Sequence, residues 1–180
     1  MLTSTAPAGL PCGWVLEPGG VGANQRRSRL TINTPTLTYV GFTGTRKGMT
    51  WQQRRRIHDY LEELAVVQPG SEFHHGDAVG ADEQAAGMAY ALRYWVVCHP
   101  PKRNTYRAYT TLNHVTLPEE DYLVRNKAIV DATSVLLATP DGPERVRSGT
   151  WQAIRYARSL GDRYMVVVYP DGKVHRVTGR

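Results

Sequence analysis

The chain has 180 residues, which suits one domain with a full core and a short appendage. Apolar content of 41% and charged content of 21% are ordinary for a globular protein, which excludes wholesale disorder and a membrane-embedded chain. The net charge of +6 is small and spread along the sequence, so it favours anionic partners without separating a mononucleotide from a polynucleotide.

Two cysteines, Cys12 and Cys98, make neither a disulfide framework nor a paired metal spacing; a reducing compartment fits, and a single disulfide stays open. No basic stretch followed by an apolar core marks a leader, and no apolar run is long enough to span a bilayer, so a cytosolic protein with no membrane partner is expected.

Residues 1–36 are rich in Gly, Pro, Ser, Thr and Asn, with a basic cluster at Arg26, Arg27 and Arg29 and no sustained apolar period. They read as a flexible or loosely packed extension to a domain spanning 37–180. Leu37 to Phe42 reads as a first strand, ending in the loop Thr43-Gly44-Thr45-Arg46-Lys47, rich in glycine, hydroxyl and cationic groups. Thr50 followed by Gln53 is a capping-box pattern, and Ile57, Leu61 and Leu64 share one face of the helix it opens. Glu72 to His75 predicts a second strand, Gly76 to Asp82 a turn, and an alanine-rich helix with Ala81, Ala85, Met88 and Leu92 inward runs to about Leu92.

Tyr94 to Cys98 predicts a third strand, and Lys102 to Asn113 a polar connection in which Arg103, Tyr106 and Arg107 interleave charge with aromatic rings. Thr116 and Glu119 form a second capping-box pattern, with Pro118 in the first turn, ahead of a helix carrying Arg125 and Asn126. Ser134 to Thr139 is a buried strand, Ser148-Gly149-Thr150 opens a helix with Trp151, Ile154 and Ala157 inward, and Tyr164 to Tyr169 is a fifth strand. Pro170-Asp171-Gly172 then turns the chain into an antiparallel edge strand. The order implies an α/β fold: one Rossmann-like three-layer domain with a mostly parallel five-stranded sheet and helices on both faces.

In such a sheet the strand order reverses between the first and fourth strands, and ligands sit in the crevice between their following loops. Those loops are Thr43 to Lys47 and Thr139 to Thr150, each holding a Gly-Thr step that offers main-chain donors, and a helix start attracts phosphate. Arg125 has two readings: a structural ion pair with Asp131, Asp121 or another acid, or a fork onto phosphate or ribose oxygens, with Asn126 beside it. Asp77 and Asp82 are likewise either cap and dipole partners or ribose acceptors and acid/base groups. His74, His75 and His99 have no metal-ligand spacing, so no metal and no cofactor are expected.

Gly41-Phe42-Thr43-Gly44-Thr45-Arg46, His75-Gly76-Asp77-Ala78-Val79-Gly80-Ala81-Asp82, Arg125-Asn126 and Ser148-Gly149-Thr150 together resemble the SLOG superfamily. That group joins the DNA-processing Smf proteins to the LOG-type phosphoribohydrolases, and the resemblance, over Tyr39 to Tyr169, is nearest its small bacterial and phage YspA-like branch. It implies a pocket for a nucleotide or nucleotide-derived ligand, walled by Thr43, Gly44, Thr45, Arg46, Gly76, Asp77, Gly80, Asp82, Arg125, Asn126, Ser148, Gly149 and Thr150. It also implies a homo-oligomer.

The LOG hydrolases carry a glutamate three residues after Gly-Thr, and here Ala153 stands at that position. Cleavage of an N-glycosidic bond needs a carboxylate to stabilise charge or activate water. A sensor or sequestering protein is therefore the first expectation. A nucleotide N-glycosidase using Arg125 with Asp82 or Asp77 is the second, and a single-stranded DNA-binding protein the third.

Overall fold

The computed structural model describes residues 38–178; the extension expected over 1–36 lies outside them. The chain order is β1 (Val40–Gly44), α1 (Trp51–Val67), β2 (Glu72–His75), α2 (Ala81–Ala91), β3 (Trp95–Cys98), β4 (Val115–Thr116), α3 (Tyr122–Asp131), β5 (Val135–Thr139), α4 (Gly149–Leu160), β6 (Tyr164–Val168) and β7 (Val174–Val177). One sheet holds the strands in the order β4-β3-β2-β1-β5-β6-β7, parallel throughout except for β7, which returns antiparallel to β6. The fold is therefore α/β and Rossmann-like, with the expected reversal between β1 and the strand at 135–139.

The sheet has seven strands where sequence patterning gave five and an antiparallel edge. The addition is β4, two residues long, and it corrects the second capping box. Thr116 pairs with Cys98 as an edge strand, and the helix starts at Tyr122 with Asp121 in the cap position. A two-residue strand has no alternation to read, while Thr-Leu-Pro-Glu satisfies a capping template by composition alone. The inward stripe of α2 is also displaced from expectation, because Ala81, Ala85, Ala86 and Ala89 are buried and Met88 and Leu92 are only half-buried.

The other elements follow their patterns. Thr50 caps α1 through its side chain, and Gln53 completes the box by accepting from the Thr50 N–H at 3.0 Å. The Gln53 amide then donates to the carbonyls of Pro140 (2.8 Å) and Val168 (2.9 Å), pinning the start of α1 to the ends of β5 and β6. Val130, Leu136, Trp151, Ile154, Met165 and Val167 form an apolar cluster between the sheet and the α3–α4 pair. Each such side chain contributes about 1.5–3 kcal/mol by leaving water, which holds the carboxyl ends of β1 and β5 side by side.

Candidate functional site

At the switch point the two expected loops meet. The hydroxyl of Thr150 donates to the carbonyl of Gly44 at 2.8 Å, and the N–H of Thr45 donates to the carbonyl of Thr139 at 3.1 Å. Above them opens a cleft of about 810 Å³. It is lined by Thr43, Gly44, Thr45 and Arg46 of the first loop, by Asp82, Arg125 and Asn126, and by Ser148, Gly149 and Thr150.

The remaining expected residues, Gly76, Asp77 and Gly80, do not line it. Gly76 lies directly beneath Arg125, where a β-carbon would fall 1.1 Å from Nη1 of that side chain, so only glycine leaves room for the guanidinium. Gly80 has φ of 91°, and a β-carbon there would meet the Arg46 carbonyl oxygen at 2.4 Å, so it sets the path of the first loop. Asp77 is buried and faces away into the polar connection. It accepts from Nε of Arg107 at 2.7 Å and from the N–H of Thr110 at 3.1 Å.

Arg125 is 6% exposed, and its Nε has no hydrogen-bond partner. Its ion pair is with neither Asp121 nor Asp131: Nη1 stands 3.7 Å from Oδ2 of Asp82, and the Asp131 carboxylate instead accepts from the Tyr156 hydroxyl. Burial holds the Arg125 guanidinium below its ordinary range, with Asp82 acting in the opposite direction. Burial pushes the Asp82 carboxyl up; the Arg125 charge, His75 and the N–H groups of Gly76 and Ala78 oppose it. A buried cation with a long contact to its only carboxylate partner among the described residues and one orphan donor is electrostatically under-satisfied.

The start of α4 adds main-chain donors. The Ser148 hydroxyl accepts from the Trp151 N–H at 3.3 Å, and its carbonyl takes the Gln152 N–H. Among the described residues the N–H groups of Gly149 and Thr150 have no hydrogen-bond partner, which leaves two donors at the positive end of the helix dipole, on the cleft that Arg125 also lines. Asn126 is committed to the wall, donating to Oε1 of Gln152 at 3.1 Å.

Three further groups complete the cleft. Tyr106 lies under the guanidinium of Arg46, 4.0 Å from the ring centroid, and Tyr122 lies beside that of Arg125 at 5.8 Å. Asp141 bridges the mouth, accepting from Lys47 at 3.2 Å and from Arg145. Sequence reasoning missed Arg145 and Arg147, although Glu-Arg-Val-Arg directly before the Ser-Gly-Thr step was a legible cationic run. Ala153 is 2% exposed within the apolar cluster under α4 and does not line the cleft.

Away from the cleft, His74 Nδ1 and His99 Nε2 share a hydrogen bond of 2.9 Å, and His74 Nε2 meets Glu72 at 2.9 Å. Among the described residues one set of possible metal ligands, His58, Asp59 and Glu62 on α1, brings its ligand atoms within 4.8 Å of one another, and none of the three lines the cleft. No helix among the described residues is long and apolar enough to cross a membrane.

No protein-family model and no curated protein matches the chain. Among solved structures, the molybdenum cofactor binding protein of Rippkaea orientalis superimposes with a TM-score of 0.59 at 17% identity, over 76% of this chain and 78% of that one. The molybdenum cofactor carrier protein of Chlamydomonas reinhardtii gives 0.53 at 14% identity, over 73% and 76%. DNA processing protein A of Helicobacter pylori, described for its single-stranded DNA binding mode, gives 0.54 at 20% identity, over 73% and 65%. At these identities the likeness concerns the Rossmann-like fold.

Proposed function

We propose that this chain binds a phosphate-bearing nucleotide or nucleotide-derived small molecule in the switch-point cleft, as a sensor or sequestering protein of the YspA-like SLOG branch. Residues 37–180 form the binding domain in this reading. The observation that carries it is Arg125: buried, with its Nε unpartnered, beside two free N–H groups at the start of α4. A guanidinium and the free N–H groups of a helix start are the donors that phosphate oxygens take. The neighbours include proteins named for binding a molybdenum cofactor, which is consistent with a small-molecule ligand at this place in the fold. Isothermal titration against a panel of nucleoside monophosphates is expected to give binding that Arg125→Ala and Gly149→Asp each abolish, with circular dichroism unchanged. Equal affinity in wild type and both variants would overturn the pocket.

A second reading, an N-glycosidic hydrolase, draws on Asp82. Asp82 lines the cleft beside Arg125, and burial pushes its carboxyl up, the direction a general acid needs. Asp77 is a poorer choice because Arg107 and Thr110 occupy its oxygens. Binding without turnover is favoured because Ala153 removes the carboxylate of the hydrolase pattern. Chromatography for free base under saturating nucleotide separates the two. Single-stranded DNA binding ranks third, and a gel shift absent at low salt removes it.

A further inference from the structure

Six cationic side chains line the cleft, Arg46, Lys47, Arg103, Arg125, Arg145 and Arg147, against two carboxylates, Asp82 and Asp141. One monophosphate at Arg125 and the α4 start leaves most of that charge unused. The carboxylates account for part of it: Asp141 takes Lys47 and Arg145 at the mouth, and Asp82 stands at 3.7 Å from Arg125. Arg46, Arg103 and Arg147 have no carboxylate partner among the described residues. Arg46 is further set by stacking on Tyr106.

The cations fall into two tiers. Arg125 is 6% exposed, while Arg103 and Arg147 are exposed. Tyr122 touches both Arg125 and Arg103, its ring 5.8 Å from the Arg125 guanidinium and its hydroxyl donating to the Arg103 main-chain carbonyl at 3.2 Å. One phenol ring thus links the inner anion position to the outer rim.

We infer that the ligand carries a second phosphate, as a nucleoside diphosphate or longer pyrophosphate-bearing nucleotide does, with one phosphate on Arg125 and the α4 donors and the next on Arg46, Arg103 and Arg147. This rests on the phosphate-binding reading above and narrows its ligand class. Guanidinium groups fork onto phosphate oxygens, and a cluster of them without carboxylates holds a strongly charged guest in place.

The test titrates AMP, ADP, inorganic phosphate and pyrophosphate, with the guanine, cytosine and uracil mono- and diphosphates alongside, into the wild type, Arg103→Ser/Arg147→Ser and Arg125→Ala. Diphosphates are expected to bind about tenfold more tightly than the matching monophosphates, the double variant should collapse that ratio toward one, and Arg125→Ala should abolish binding of both classes. Equal affinity for mono- and diphosphate, with no effect of the double variant on their ratio, overturns the second phosphate and leaves the phosphate reading standing. Binding of none of the probes removes the phosphate reading and this inference together.

Discussion

The Thr150 hydroxyl donates to the Gly44 carbonyl at 2.8 Å, joining the first turn of α4 to the last residue of β1 across 106 positions of sequence. This bond sets the spacing of the two cleft walls, and Thr150 is itself 7% exposed. Replacing the hydroxyl by a methyl group removes the donor and leaves a carbonyl without its partner, at a cost of about 1 kcal/mol. Thr150→Val is expected to lower the free energy of unfolding measured in urea by that amount and weaken nucleotide binding several-fold, while Thr150→Ser keeps both.

Gly76→Ala tests the guanidinium position from below. The new methyl carbon would sit 1.1 Å from Nη1 of Arg125 and 2.4 Å from its Cζ, so the head group must leave its place. The expected result is a folded protein destabilised by about 1–3 kcal/mol that no longer binds nucleotide. Calorimetric titration together with chemical denaturation reads both parts.

Arg107 and Asp77 predict a stability effect separable from binding. Asp77 is 1% exposed and depends on Arg107 and the Thr110 N–H for its hydrogen bonds. Arg107→Ala strands a buried carboxylate and should cost about 3 kcal/mol in a denaturation experiment. Because Asp77 does not line the cleft, the folded fraction should keep wild-type affinity for nucleotide.

Gln53 offers a similar test at the rear of the site. Its amide satisfies the carbonyls of Pro140 and Val168 and the N–H of Thr50. Gln53→Leu keeps the volume and loses all three bonds, with an expected cost of about 3 kcal/mol measured by urea unfolding.

The buried histidines set an acid limit. Burial holds His74 and His75 below their ordinary value of 6.5 and pushes His99 down to about 3. The unfolded chain therefore takes protons below 6.5 that the folded chain refuses, so this stability is complete above 6.5 and is lost as pH falls toward 3. His99 contributes a slope of about 1.4 kcal/mol per pH unit inside that window, and His74 and His75 add to it in the same direction. Denaturant midpoints at several pH values should show the slope, and His99→Gln should remove one group's share of it.

Much of the fold was legible because its signals are local. Thr50 with Gln53, the apolar run 135–139 and the turn at 170–172 each specify their element without help from distant residues. β4 was not, because its two residues are a strand only through pairing with Val97 and Cys98. The same division holds at the site. Gly-Thr after a buried strand marked the cleft walls, but spacing alone could not assign Arg125 to Asp82, 43 positions earlier on another helix, or turn Asp77 toward Arg107.

Because the strand order reverses between β1 and β5, the segments that follow them diverge, and either can lengthen or change composition without any strand sliding against its neighbour. The scaffold is thus indifferent to its cargo. Selectivity for one guest over another can drift through residues 45–47 and 141–148 while the interior stays as it is.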